Sequence, residues 1–256
     1  MKNLTTFLAA FSMFTLGGIA QAHDGDSRVD IVFEGDVMPI VKAGAVDLQF
    51  ELLDTKTKKL VAPADLIITH EKILHLFTFD PALNEFRHEH PEYVNGKWNV
   101  RLQIPVNGKY WVYAQGRVKA DGGVDFAGGS RFLVKDGTPE NVSPPDLREN
   151  RKGADGNSIV ALSDDALRAK AMAMLIVKFS RVDGTKPVIT PWLGAKAHVV
   201  ATPDDGDVLL HVHPMEMGGQ LMIHATFPNA GAYRIWVQFI DGGVLRTVPL
   251  AVSVSN

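Results

Sequence analysis

Eight of the nine histidines fall into two groups, His70, His75, His88 and His90 in one and His198, His211, His213 and His224 in the other. Each group contains an H-x-H-P motif, Arg87-His88-Glu89-His90-Pro91 and Leu210-His211-Val212-His213-Pro214. In a strand, residues two apart point the same way, so each motif presents two imidazoles on one face. His75 and His198 stand in a preceding apolar run, and a hairpin to the H-x-H strand places a third ring beside the pair. Three imidazoles, with a fourth position from His70, His224, a methionine or water, suit copper or zinc and serve calcium or magnesium poorly. Met215-Glu-Met217 follows the second motif and adds thioethers, which favour Cu(I). The competing reading is structural: a strand histidine can satisfy backbone carbonyls, and a turn can persist as inherited packing. Concentration of nearly all histidines at equivalent places favours metal.

These places are equivalent because the chain repeats itself. The two motifs align at an offset of 213 − 90 = 123, and the same offset carries His75 to His198, Gly96 to Gly219, Pro105 to Pro228, Gly108 to Gly231, Tyr110 to Tyr233 and Gln115 to Gln238. His70 and His224 lack this partner, with Leu193 and Arg101 at the corresponding positions. The repeat defines a first domain at residues 23–137, a Pro-, Gly- and charge-rich linker at 138–157, and a second domain at 158–256. Val46, Leu48, Phe50 and Leu52 alternate with polar residues, as strands do. Trp98 to Ile104 and Tyr110 to Gln115 form a second pair around the Pro105-Val-Asn-Gly108 turn. The expected architecture is all-β, two tandem immunoglobulin-like or cupredoxin-like β-sandwiches related by duplication. Ser163 to Met172 has a helix cap and helix formers, but the repeat assigns Met174 to Phe179 to a strand. A strand is therefore expected from about Met172, after at most a short helical turn. Asp121-Gly-Gly and Ala127-Gly-Gly129 are expected in a hairpin loop, since no strand-to-helix context supports a phosphate cradle.

The remaining composition narrows the chemistry. Lys2, an apolar run from Leu4 to Ala20 and the Ala20-Gln21-Ala22 site read as a cleavable signal peptide over residues 1–22, giving a periplasmic protein that begins at His23 with no membrane span. The new terminal amine and ring of His23 offer a minor Cu(II) chelate. No cysteine occurs, which excludes disulfides, thiolate metal sites and a blue-copper centre. The net charge of −3 becomes 25 − 29 = −4 after cleavage, so electrostatics give no case for nucleic acid. Serine elbows and His-Glu-x-x-His helices are absent, and Glu89 alternates away from His88 and His90, so no enzyme is expected.

Thr69-His-Glu-Lys-Ile-Leu-His75-Leu, Asn84-Glu-Phe-Arg-His-Glu-His-Pro91 and Gly108-Lys-Tyr, with their counterparts from Gly194 and Gly231, resemble a family of bacterial periplasmic immunoglobulin-like repeat proteins associated with heavy-metal handling. The resemblance implies copper bound, buffered or delivered without catalysis, with an envelope efflux or delivery protein as partner. The alternative is an interaction module or accessory subunit of an envelope complex, its histidines structural. On the metal reading each domain carries its own site, the linker keeps the two cores separate, and binding fades as pH falls through about 6.5, where free histidine titrates.

Overall fold

The alternation of apolar side chains is realised as strands throughout. The computed structural model describes residues 27–140 and 145–256, so the expected signal segment and His23 lie outside the described residues. In the first domain one sheet has the order β1 (Val29–Val32), β3 (Gly44–Asp54), β8 (Lys97–Ile104), β7 (Glu92–Val94). The facing sheet runs β2 (Ile40–Lys42), β10 (Val124–Lys135), β9 (Gly108–Val118), β5 (His75–Phe79), β6 (Phe86–Glu89), with β4 (Leu66–Ile67) on the free part of β9. β2 pairs with β10 in parallel, and the other pairings are antiparallel.

The second domain repeats this order. One sheet is β11 (Lys152–Asp155), β12 (Ser158–Leu162), β14 (Met172–Arg181), β19 (Gln220–Thr226), β18 (Met215–Met217). The other is β13 (Leu167–Arg168), β21 (Val244–Ser255), β20 (Gly231–Asp241), β16 (His198–Pro203), β17 (Leu210–Val212), with β15 (Ile189–Thr190) on β20. β13 is again the parallel edge strand. β11 has no counterpart in the first repeat, and it lies inside the segment expected to be linker. Tyr110 Oη donates to Val106 O at 3.2 Å and Tyr233 Oη to Asn229 O at 3.0 Å, the same tyrosine corner at the start of the same strand in each domain. Sheet order, parallel edge strand and tyrosine corner together make both domains immunoglobulin-like sandwiches.

The strand at Met172 forms as expected, and no α-helix occurs among the described residues. Ser163 turns its hydroxyl to the Ile176 amide at 2.9 Å, so the residue that looked like a helix cap ties down the strand instead. Ala127-Gly-Gly129 is a correction: it lies inside β10, and only Asp121-Gly-Gly forms the hairpin turn. A Cβ on Gly128 would stand 2.0 Å from Val29 O, so this glycine admits the close approach of β1. Among the described residues no helix is long and apolar enough to cross a membrane.

Each sandwich has its own core. Val46, Leu48, Phe50 and Leu52 face Tyr110, Val112 and Phe132 in the first, and Leu175, Val177 and Ile223 face Tyr233, Ile235 and Leu250 in the second. A third apolar cluster lies between the domains, contrary to the expectation of separate units. It joins Phe77, Phe79, Phe86, Trp111 and Tyr113 to Val200, Leu209, Trp236 and Ala251. Every residue of β5 is buried because its alternate faces pack into different bodies: Leu76 into its own core, Phe77 and Phe79 against the other domain. Trp236 stacks on Phe86 with ring centroids 4.6 Å apart.

The interface repeats across a pseudo-two-fold axis. Tyr113 Oη donates to Gly206 O at 2.8 Å, and Arg234 Nε donates to Leu83 O at 3.1 Å. Gly206 and Leu83 are equivalent at the offset of 123, and both take the left-handed backbone conformation. A Cβ at Gly206 would meet the Trp111 ring at 2.5 Å, which explains why this repeat carries glycine there.

Candidate metal centre

The histidines stand on the sheet faces that meet in this interface. β5 and β6 pair with Phe77 opposite His88, so on the same outward face His75 comes level with His90. β16 and β17 pair with Val200 opposite His211, which sets His198 level with His213. Two triads result, His75/His88/His90 and His198/His211/His213, each with one ring nitrogen per residue and all three nitrogens within 4.8 Å of one another. His75 Nδ1 lies 3.1 Å from His88 Nε2, and His198 Nδ1 lies 3.2 Å from His211 Nε2 and 2.8 Å from His213 Nε2.

The outer nitrogens are held by backbone carbonyls and carboxamide oxygens. His75 Nε2 donates to Thr69 O at 3.3 Å and His198 Nε2 to Trp192 O at 2.9 Å, at equivalent positions of the repeat. His88 Nδ1 donates to Gln238 Oε1 at 2.9 Å and His211 Nδ1 to Gln115 Oε1 at 2.5 Å. Gln238 Nε2 in turn donates to Thr247 Oγ1 at 3.0 Å, so both ends of the carboxamide are engaged. With these protons committed outward, neutral His75 and His88 turn two lone pairs toward one point, and His198 and His211 do the same. His90 Nε2 is buried with no hydrogen-bond partner. An orphaned buried nitrogen beside two converging lone pairs is the arrangement a cation resolves.

The glutamines are exchanged between domains. Gln115 pairs with His75 on β9 and β5 yet holds His211, and Gln238 pairs with His198 yet holds His88. Sequence reasoning found both glutamines as repeat identities and missed their role, although identity at a polar strand position beside a candidate ligand was the available signal. The triads also approach each other: ring centroids are 5.6 Å apart for His75 and His211, 5.6 Å for His88 and His198, and 5.5 Å for His88 and His211.

Burial sets the protonation. It pushes His75 down to about 3 and His90 and His198 to about 4, with charge on neighbouring basic groups acting further against protonation of His75 and His90. Burial first, and then neighbouring histidines, also hold His88, His211 and His213 well below the ordinary histidine value. All six are neutral at pH 7, the form that ligates metal. Competition with protons therefore belongs near pH 4 and below, not at the value of about 6.5 expected for free histidine.

Two residues expected as fourth ligands behave otherwise. His70 does not complete the triad of its own domain: it sits in a left-handed turn and lays its ring on His213 of the other domain, centroids 3.7 Å apart and planes 32° apart, which is ring packing. His224 is on β19, in the sheet away from the interface, opposite Met174. Glu89 is level with Leu76, a residue of the first core, so its carboxyl lies on the face opposite the triad, and burial raises its pKa.

Fold and site together define a tandem immunoglobulin-like protein whose domain interface is built around paired histidine triads. A family model described as Domain of unknown function (DUF8832) matches residues 152–256, the second sandwich beginning at β11. No curated protein matches the chain. Among solved structures, the Escherichia coli adhesin FdeC is similar at 14% identity and TM-score 0.28, covering 92% of this chain and 66% of that one. A Ca2+-stabilized adhesin of an Antarctic bacterium is similar at 15% identity and TM-score 0.22, covering 92% and 50%. Titin domains A168–A170 are similar at 12% identity and TM-score 0.23, covering 90% and 66%.

Proposed function

We propose that this chain is a periplasmic metal-binding protein that holds transition-metal ions, copper in the first place, in the paired triads His75/His88/His90 and His198/His211/His213, for buffering or delivery to an envelope protein. The observation that carries this reading is the convergence of ring nitrogens whose outer partners are committed to acceptors, 3.1 Å apart in one triad and 2.8 and 3.2 Å in the other. An all-imidazole donor set suits copper or zinc, zinc being the alternative cargo. The groups around the triads are backbone carbonyls and carboxamides, which orient rings and transfer no protons, so the reading is carriage and not catalysis. Export rests on the signal segment at residues 1–22 and its Ala20-Gln21-Ala22 site.

The test is thermal unfolding of untagged, chelator-cleared protein with Cu(II), Cu(I) or Zn(II), together with metal analysis of protein taken from the periplasm. A ligand that binds the folded state alone stabilises it by about 4 kcal/mol at 1,000 times its Kd. His88→Ala/His90→Ala and His211→Ala/His213→Ala each remove part of that gain on the metal reading. If the unmodified protein shows no saturable shift with any of these ions, the histidines are structural and the chain is an interaction module.

A further inference from the structure

The outer face of the sheet β11-β12-β14-β19-β18 carries a second group of metal-competent side chains, remote from the interface and independent of the triads. Ala173, Leu175 and Val177 of β14 and Ile223 and Ala225 of β19 point into the second core. Alternation therefore puts Met172, Met174 and Ile176 of β14, and Met222, His224 and Thr226 of β19, on the opposite face. The register sets Met174 directly across from His224, and Met222 across from both Ile176 and Met215. Directly opposed residues have Cβ atoms about 4.5–5.5 Å apart and diagonal ones about 7–8 Å, within the reach of long side chains. Met174 and Met222 thus flank His224, one across the ladder and one along the strand. Of the eight methionines in the chain, Met172, Met174, Met215, Met217 and Met222 are gathered in this one sheet.

Two observations distinguish the patch from ordinary surface. His224 Nε2 is buried and has no hydrogen-bond partner, although the strands around it carry water-exposed neighbours: Met174 is 53% exposed. Thioethers cannot donate and accept only weakly, so in either tautomer this nitrogen is without a partner. The first domain shows what the fold itself asks for at this place. There the residues that match Met174 and His224 in sheet register are Asp47 and Arg101, directly opposed on β3 and β8 and ion-paired at 3.8 Å on an open surface. The second repeat has exchanged an oppositely charged surface pair for a thioether and an imidazole, a change no packing requirement explains.

We propose that Met174, Met222 and His224 form a soft-cation site for monovalent copper, with Met172 and Met215 at its margin. Thioether and neutral imidazole together select Cu(I), or its redox-inert analogue Ag(I), over divalent ions that favour nitrogen and oxygen. The site lies on a solvent-facing sheet, whereas the triads lie between the domains with four of their six rings buried, so it offers a cation a place on the outside of the same molecule.

The experiment uses the full chain with methyl-13C methionine, titrated with Ag(I) and read as the ε-methyl resonances, assigned by single Met→Leu replacements. The expected result is a saturable shift of the Met174 and Met222 methyls while Met38, an exposed methionine of the first domain, stays in place. Met174→Leu/Met222→Leu, a volume-preserving change, lowers Ag(I) affinity at His224 by at least the roughly 10–100-fold that loss of an outer-shell partner alone costs. The same variant leaves the triads' Cu(II)-induced thermal shift intact, which separates failure of this site from failure of the interface site. His224→Arg with Met174→Asp, restoring the first domain's pair, abolishes the methyl response in a folded protein. Methyl shifts that do not saturate or that move Met38 as much as Met174, or an Ag(I)-induced 15N shift of His224 that keeps its affinity in the double leucine variant, overturn the proposal.

Discussion

Gln238→Leu separates a ligand-orienting role from a packing role, because Gln238 belongs to the second domain and holds a histidine of the first. Its Oε1 accepts from His88 Nδ1 at 2.9 Å, and the glutamine is buried, so leucine fills the volume and deletes the acceptor. In the metal-free protein the His88 N–H is then left unsatisfied, which costs about 1–3 kcal/mol. At about 2–4 °C per kcal/mol for a chain of this size, Tm falls by roughly 2–12 °C. The metal-dependent part is separate. An outer-shell partner is worth about 10–100-fold in metal affinity, so a gain of about 4.1 kcal/mol at 1,000 times Kd drops to about 2.7 or 1.4 kcal/mol. Differential scanning calorimetry with and without copper reads both quantities, and 15N shifts of labelled histidine assign the loss to His88. If Tm falls without metal while the metal-induced increment and the His88 coordination shift stay the same, Gln238 is only packing, and the exchanged-glutamine argument is wrong.

Stability without metal should depend on pH with a definite sign. The triad histidines titrate near 6.5 when unfolded and at about 3–4 for His75, His90 and His198 when folded, so below pH 6.5 the unfolded chain binds more protons and stability is lost progressively as pH falls from about 6.5 to about 4, levelling off below the folded values. Urea midpoints from pH 8 to pH 4 test this, and a flat profile refutes the buried placement of the rings. Gly128→Ala should displace β1, since its Cβ would lie 2.0 Å from Val29 O; hydrogen exchange of the β1 amides should rise above that of β12. Trp236→Ala should cost about 3–5 kcal/mol and loosen the interface, seen as faster exchange at His75 and His198 while the amides of Leu175 and Phe50, deep in the separate cores, change least.

The duplication and the triads were legible because an ungapped offset carried both the motif and its upstream histidine, and strand alternation then fixed which rings share a face. The union of the triads was not. Outward Phe77, Phe79, Tyr113 and Trp236 signalled that these sheets were covered, but His-Leu-Phe-Thr-Phe of β5 reads equally well as a strand buried in a single core. The partner that buries the outer face is remote in sequence, and local periodicity carries no record of it. His70 and His224 had no repeat partner, and the structure sends them to different places, one onto His213 and one among methionines on the far sheet. β11 escaped notice because Lys-Gly-Ala-Asp lacks apolar alternation, and only pairing with β12 makes it a strand.

The pseudo-symmetric arrangement has a consequence for how metal enters and leaves. Each triad takes its nitrogens from one domain and the acceptor for one of its buried rings from the other, so an ion in either triad favours the docked pair of domains over the separated one. By linkage, loosening the interface weakens each site by the free energy with which that site's ion favours docking. The rings are closed over by Phe77, Trp192 and each other, with Trp192 5.4 Å from His88 and 4.9 Å from His198, centroid to centroid. His90 and His213 keep partial exposure while the other four rings are buried between the domains, so opening of the interface is the expected route by which an ion engages a whole triad. The contacts that resist opening are the aromatic stack around Phe86 and Trp236, the Arg131–Asp207 ion pair at 2.6 Å and the backbone acceptors Gly206 and Leu83. The ion pair is at the solvent-exposed edge and contributes at most about 1 kcal/mol, so the aromatic stack sets the opening free energy. Exchange of bound metal should then follow the stability of that stack and be nearly indifferent to salt, whereas an interface held by its rim charges would release metal faster as ionic strength rises.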